Sequence, residues 1–180
     1  KSLTSKYPAI STDRKDTYGY IWETQVCIWF LKNDPIWKTK FKPETIMSPQ
    51  DWGYGIISAT TGNVVTEDIG IDIVAEDYDG KMWGIQAKCY TSQIPSSKID
   101  SFTGAINQEK WYSVTDPNRT KTIDRGLLLR TDDITGKARS KMRGNEKKIV
   151  EVGPEHFDLS ELDWFESINK VQKVTHSLKT

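Results

Sequence analysis

Asp72, Gln86 and Lys88 are polar residues that stand among apolar neighbours, in the runs GIDIVAED and KMWGIQAKCY. Runs of this kind are typical of strands. A carboxylate and an amide oxygen are hard ligands that suit Mg²⁺, and a bound metal lowers the pKa of water and stabilises charge on a phosphoryl oxygen. A nearby lysine can orient the attacking water and stabilise developing negative charge. The three residue types therefore predict metal-assisted hydrolysis, provided that the fold brings them together.

The loop between the two runs, residues 78–80, decides whether these side chains meet. A two-residue loop would place Asp72 on the face opposite to Gln86. A three-residue loop pairs Asp72 with Gln86, and it requires a residue of positive φ at its end, which suits Gly80. Because strand side chains alternate, the three-residue loop places Asp72, Gln86 and Lys88 on one face of a hairpin. We therefore predict the three-residue loop.

The remaining pattern predicts an α/β domain with a mixed central β-sheet flanked by helices. Apolar periodicity and helix-stop signals favour helices over residues 17–34, 96–114 and 134–148, and further strands over residues 125–132 and 148–153. Residues 48–65 indicate a loop with at most one short strand. The order helix, hairpin, helix, strand, helix, strand favours an antiparallel hairpin followed by crossover strands.

Composition limits the classes of function. The 180 residues suit one domain, and a formal net charge of zero argues against a wholly basic nucleic-acid binder while allowing a local basic patch. No run of 18 apolar residues occurs, so no membrane partner is expected. The two isolated cysteines favour reduced thiols and a cytoplasmic location. Without a GxxxxGK[ST] motif, no ATP site is expected in this segment.

Several motifs together resemble a known family. GID and QAK, separated by 13 residues, are similar to the active-site signature of the PD-(D/E)XK nuclease superfamily in its Mrr-like form. The stretches WETQVCIWFLKNDP, QAKCYTSQIPSSKIDSFTGAI and RGLLLRTDDIT extend this resemblance to roughly residues 17–162. The chain resembles most the N-terminal nuclease domains of large bacterial helicase-nucleases, which include the single-polypeptide, ATP-dependent Type ISP restriction-modification enzymes. The resemblance implies a restriction-endonuclease-like fold.

The resemblance also implies roles for individual residues. Asp72 is expected to be the principal metal ligand, Gln86 the second ligand and the Ala87 carbonyl a third, with Lys88 as the catalytic lysine. Two auxiliary acids are implied as well, Glu23 on the first helix and Asp68. The expected cofactor is Mg²⁺, with Mn²⁺ as a substitute. Residues 53–65 form a Gly- and Thr-rich insertion that looks longer than the family pattern.

A local basic segment predicts contact with DNA phosphates. Residues 137–148 read KARSKMRGNEKK, in which only Glu146 opposes the basic side chains. These basic residues would offset phosphate repulsion beside an acidic site, without reading bases. They are Lys137, Arg139, Lys141, Arg143, Lys147 and Lys148.

The expected organisation is an N-terminal extension over residues 1–16, an Mrr-like nuclease domain over residues 17–165, and a C-terminal helix or linker over residues 166–180. The expected function is Mg²⁺-dependent DNA cleavage in the bacterial cytoplasm. The chain would be the nuclease module of a polypeptide that also carries helicase, methyltransferase and target-recognition domains. Two alternatives stay open: a free-standing Mrr-like nuclease acting on modified DNA, and an inactive nuclease fold that only binds DNA.

Overall fold

The computed structural model describes residues 26–88, 93–130 and 132–156. These residues form helices joined to two four-stranded sheets. The helices are α1 (Cys27–Asn33), the single turn α2 (Pro49–Trp52), α3 (Asp100–Ile106) and α4 (Gly136–Arg143). The strands are β1 (Tyr54–Ile57), β2 (Val64–Val65), β3 (Ile73–Glu76), β4 (Met82–Lys88), β5 (Trp111–Ser113), β6 (Thr120–Lys121), β7 (Arg125–Arg130) and β8 (Ile149–Val152).

The central sheet has the strand order β3-β4-β7-β8. β3 and β4 form an antiparallel hairpin, whereas β7 and β8 run parallel to β4. The predicted mixed sheet is therefore confirmed. Its three parallel strands end on the same side of the sheet, which we call the catalytic edge because the predicted catalytic lysine, Lys88, is the last residue of β4.

The hairpin has the predicted three-residue loop. Ile73 pairs with Ile85, and this register places Asp72 opposite Gln86. Gly80 closes the loop with φ +82°, a conformation that costs glycine little. The buried Asp77 holds the turn, because its carboxylate accepts hydrogen bonds from the backbone N–H groups of Asp79 and Lys81, both at 2.9 Å.

Both faces of the central sheet are buried. One face packs against α1 and the segment that follows it, through buried residues that include Cys27, Phe30, Leu31, Phe41 and Trp83. The other face packs against α3, α4 and the smaller sheet, through residues that include Tyr54, Phe102, Ile106, Trp111 and Met142. Asp72, Gln86 and Lys88 lie on this second face at the catalytic edge, on the same side of the sheet as the buried Val74.

The smaller sheet, with the order β2-β1-β5-β6, corrects two predictions. The helix predicted over residues 96–114 ends at Ile106, and Trp111 lies on strand β5 instead. The loop predicted over residues 48–65 contains α2 and two strands. Local periodicity missed these strands because they are two to four residues long and arise from pairing between distant segments, such as Tyr54 with Ser113.

The other helices end where the sequence predicts or are shorter than predicted. α1 ends at Asn33, and Asp34 has ψ 135°, as expected for a residue before proline. α4 ends at Arg143 because Gly144 follows, so it is shorter than the predicted 134–148. None of the helices in the described ranges is long and apolar enough to cross a membrane.

Candidate active site

Asp72 lies where the β3–β4 ladder ends. Its backbone N–H donates to the Ile85 carbonyl at 2.8 Å, and β4 continues beyond this point to Lys88. The Asp72 carboxylate takes the place of the next backbone partner: its Oδ2 accepts the Ala87 N–H at 3.0 Å. The same oxygen accepts the Gln86 Nε2 at 2.6 Å. The hairpin register thus brings Asp72 and Gln86 into direct contact.

Lys88 follows Gln86 by two residues on β4, so alternation along the strand places both side chains on the same face. Gln86 is buried, whereas Asp72 and Lys88 are half-buried. The structure therefore brings Asp72, Gln86 and Lys88 together at the catalytic edge, with a polar surface that solvent can reach.

The electrostatics of Asp72 favour a nearby cation. Burial raises the pKa of this carboxyl above its ordinary value, and the Ala87 N–H, the Lys88 charge and the Gln86 amide oppose that rise. A carboxylate that burial has desolvated is stabilised more than an exposed one by a positive charge beside it. Lys88 supplies one such charge, and a metal ion would supply another.

The chemistry of the donor set fits a hard divalent cation. Asp72 offers a carboxylate, and Gln86 offers an amide oxygen. The N–H and C=O of one strand residue point to the same side of the strand, so the Ala87 carbonyl is directed to the side on which Asp72 accepts the Ala87 N–H. Within the described ranges no group of three or more His, Cys, Asp or Glu side chains could hold a metal. Such a mixed oxygen set suits Mg²⁺, which retains several waters and shares its ligands with substrate phosphates.

The two auxiliary acids have different positions. Glu23 lies outside the described residues. Asp68 is exposed and adopts φ +53°, in a turn that precedes Gly70 at φ +88°. Aspartate tolerates this left-handed conformation better than most residues. The turn lies four residues before Asp72, so its shape contributes to the path by which the chain enters β3.

The basic segment divides between the two edges of the sheet. α4 begins at the catalytic edge, where Thr135 caps it by accepting the Ala138 N–H at 3.2 Å. Lys147 and Lys148 precede β8 and so lie at the opposite edge. β4 has seven residues, which separates the two edges by roughly 20 Å at ~3.3 Å per residue. The structure therefore does not place all six predicted phosphate contacts beside Asp72.

Three of the six basic residues also have partners within the chain. Arg139 donates to Glu151 and Asp133, both at 3.0 Å, and these bonds raise its pKa. Lys141 pairs with Asp100, and Lys147 donates to the Ile123 carbonyl at 2.8 Å. Lys137, Arg143 and Lys148 are exposed.

Sequence reasoning missed one charged residue at the catalytic edge. Arg130 is the last residue of β7 and the register partner of Lys88. It is only 4% exposed and pairs with Glu151 at 3.3 Å. Its signal in the sequence is the one that identified Lys88, a charged residue at the end of an otherwise apolar strand. The sequence analysis assigned residues 125–132 to a buried strand and gave Arg130 no separate role.

Comparison with known proteins identifies the family of the chain. A family model described as Restriction endonuclease, Mrr_cat_2, matches residues 32–174, which is most of the chain. The protein therefore belongs to this restriction endonuclease family and has its restriction-endonuclease-like fold. The predicted resemblance to Mrr-like nucleases is confirmed.

A solved structure adds a more specific similarity. The chain is 25% identical to the ATP-dependent Type ISP restriction-modification enzyme LlaBIII bound to DNA, with a TM-score of 0.52. The match covers 86% of this chain and 9% of that one, so the protein corresponds to a small part of the larger enzyme. No curated protein matches the chain significantly.

Proposed function

We propose that this protein is a Mg²⁺-dependent DNA endonuclease module that hydrolyses phosphodiester bonds at the site formed by Asp72, Gln86 and Lys88. The observation that carries the proposal is the 2.6 Å contact between Asp72 and Gln86, on the sheet face that also presents Lys88. Membership of a restriction endonuclease family supports the reaction class.

Each residue has a distinct role in the proposed reaction. Asp72, Gln86 and the Ala87 carbonyl would hold Mg²⁺, which when bound lowers the pKa of water and compensates phosphate charge. Lys88 lies on the same face, where it would orient the attacking water and stabilise the negative charge that develops on the phosphate. The Gln86 amide and the Ala87 N–H fix the orientation of the Asp72 carboxylate through its Oδ2.

The DNA backbone would approach the catalytic edge beside the start of α4. Lys137 is exposed in the first turn of that helix and is well placed for a phosphate contact. Lys141 and Arg143 extend the positive surface along the helix. Glu23 and Asp68 are proposed as auxiliary acids, consistent with the family pattern.

The larger context is also a proposal. Similarity to 9% of a multidomain Type ISP enzyme supports a protein in which this nuclease is covalently linked to helicase, methyltransferase and target-recognition domains. Such an enzyme would act in the bacterial cytoplasm. The nuclease domain is proposed to span residues 17–165, with residues 1–16 as an extension and 166–180 as a helix or linker.

Cleavage of supercoiled plasmid tests the proposal directly. Full-length polypeptide carrying this chain is assayed with ATP in Mg²⁺ and in EDTA, together with Asp72→Ala and Lys88→Ala. We expect the parent to cleave when Mg²⁺ is present and not in EDTA, and both variants to lose cleavage. The circular dichroism and thermal unfolding of the variant chains should stay close to those of the parent. Wild-type cleavage rates in either variant would refute the site.

The same assay separates the two alternatives. An inactive DNA-binding fold would bind plasmid but cut it under no metal condition. A free-standing nuclease acting on modified DNA would cut methylated plasmid in preference to unmethylated plasmid, without the other domains.

A further inference from the structure

Arg130 forms a buried network beside the catalytic edge. Its guanidinium donates to the Asp132 carbonyl at 2.9 Å and to Glu151 at 3.3 Å. The same group lies directly over Gly153: a Cβ there would be 2.5 Å from Nη1 and 2.7 Å from Cζ. Glycine at position 153 therefore provides the space that the guanidinium occupies. The Arg130 side chain leans toward β8.

The Asp132 carbonyl belongs to a turn that leads into α4. Within this turn Asp133 accepts the Ile94 N–H at 2.9 Å through its backbone carbonyl, and Thr135 donates its N–H to the Ile94 carbonyl at 3.0 Å. Ile94 is six residues after Lys88 on the same chain. The turn therefore holds one end of the segment whose other end is the proposed catalytic lysine.

Two features link this network to Lys88 in particular. Lys88 and Arg130 are register partners in the β4–β7 pairing, so their Cα atoms are neighbours. Ile94, six residues after Lys88 in the sequence, forms a parallel bridge with Ile134 in the turn. A shift of the turn that Arg130 holds would be passed to the end of β4.

We infer that Arg130 is a positioning residue, which fixes the end of β4 and thereby Lys88 by holding the turn over residues 132–135. This inference rests on the proposed nuclease function, because the benefit of a fixed Lys88 is faster cleavage. Arg130 itself is buried against Glu151 and the turn, so it acts through the backbone and not by contact with DNA.

The first test substitutes Arg130→Met, which keeps the volume and removes the donors. Removing one partner of a buried ion pair usually destabilises a protein because it leaves the other charge uncompensated. Glu151 retains its 3.0 Å bond to Arg139, which limits this cost. We expect kcat for plasmid cleavage by the full-length polypeptide to fall about tenfold or more, with KM for DNA within about twofold. Arg130→Lys should recover part of kcat, because it restores one charged donor but not the fork.

Gly153→Ala provides an independent perturbation. It changes no charge, and the three heavy atoms nearest to the added Cβ all belong to the Arg130 guanidinium, so it should lower kcat in the same direction as Arg130→Met. In the double variant the clash is gone, and Gly153→Ala should have no further effect. Additive losses in the double variant would overturn the inference.

Lys42→Met is the matched control. It removes another half-buried ion pair, with Glu76 at 2.5 Å, but at the end of β3 remote from Asp72. We expect kcat and KM close to the parent values. A fall in kcat equal to that of Arg130→Met would mean that any lost ion pair slows cleavage, and would overturn the specific role.

Hydrogen exchange on the chain tests the same inference without any activity. Arg130→Met should accelerate exchange of the Ile94 and Thr135 amides about tenfold, and leave the Asp72 amide unchanged as evidence of an intact hairpin. Unchanged exchange at Ile94 and Thr135 overturns the inference, whatever the cleavage result. If exchange accelerates but the parent polypeptide cuts no DNA in Mg²⁺, the proposed function fails while Arg130 still holds the turn.

Discussion

Gly70 lies against the backbone of Ser101 on helix α3, so close that a Cβ on Gly70 would be 2.3 Å from the Ser101 carbonyl oxygen. Gly70 also adopts φ +88°. The contact joins the first turn of α3 to the chain just before β3 and so fixes the direction from which the backbone reaches Asp72. Only glycine satisfies both the close approach and the left-handed conformation.

Gly70→Ala should therefore damage both stability and the site. We expect the free energy of unfolding to fall by about 2–4 kcal/mol, because backbone strain and a clash with helix backbone act together. Gly80→Ala is the control: it has φ +82° but no heavy atom within 4 Å of an added Cβ. It should cost only about 1 kcal/mol. Equal losses in urea unfolding would show that the Ser101 contact is unimportant.

Gln86→Glu should retain more cleavage than Gln86→Ala. Glutamate keeps an oxygen at the position of the proposed second ligand, whereas alanine removes it. Glutamate also places a second carboxylate beside Asp72, whose Oδ2 accepts the Gln86 amide at 2.6 Å in the parent. Two adjacent carboxylates repel each other and therefore favour a bound cation between them. Magnesium titrations of plasmid cleavage compare the variants. Greater activity in the alanine variant would contradict Gln86 as a ligand.

Asp77→Ala should destabilise the hairpin in a pH-dependent way. Burial raises the pKa of Asp77, but the bonds from the Trp83 indole and from the turn N–H groups outweigh it, so the net pKa is lowered. A carboxyl whose pKa is lower in the folded state stabilises the fold at pH values above its unfolded pKa. This stabilisation is lost as the pH falls through its folded pKa. The variant should lose about 3 kcal/mol at pH 7 and progressively less below about pH 4.

Urea unfolding at pH 7 and pH 3 measures this difference. Asp79→Ala, at the exposed neighbouring turn position, should change stability by less than about 0.5 kcal/mol at either pH. A loss for Asp77→Ala that is the same at both pH values would mean that its ionised form does not stabilise the turn.

Lys141→Ala with Arg143→Ala should weaken binding to all DNA sequences alike. Phosphate contacts carry no base information, and each lost contact should lower the slope of log affinity against log salt by roughly 0.9. Lys141 already pairs with the exposed Asp100, so a DNA phosphate would have to replace that ion pair. Lys141 should therefore contribute less to the change in affinity than Arg143. Lys81→Ala, on the hairpin turn at the opposite edge, is the control. Unchanged affinity and slope in the double variant would place the phosphate track elsewhere.

These 180 residues alone should nick DNA weakly and without sequence preference, or not at all. A restriction nuclease that cut at every encounter would destroy its host's DNA, so timing and specificity should come from a motor and a target-recognition domain. Incubation of the isolated chain with plasmid in Mg²⁺ measures this. Efficient site-specific double-strand cleavage would contradict a modular enzyme.

Local sequence signals predict the hairpin and its register. Loop length, the glycine at position 80 and the alternation of polar and apolar residues all favoured the same pairing, and the structure has that pairing. These signals are local, because a loop of only three residues joins Asp77 to its partner Lys81. The central β-strands were also predictable, since Leu127, Leu128 and Leu129 form an apolar run long enough to indicate a buried strand.

The smaller sheet and the network around Arg130 depend on contacts between residues that are distant in the sequence. Trp111 fits a helical pattern as well as a strand, and pairing of its strand with β1, distant in sequence, selected the strand. Arg130, Gly153 and Glu151 meet because β7 and β8 are parallel and in a particular register. Parallel register is set by packing of the crossover helix on the sheet, so no local pattern in the sequence encodes which charged side chains will become neighbours.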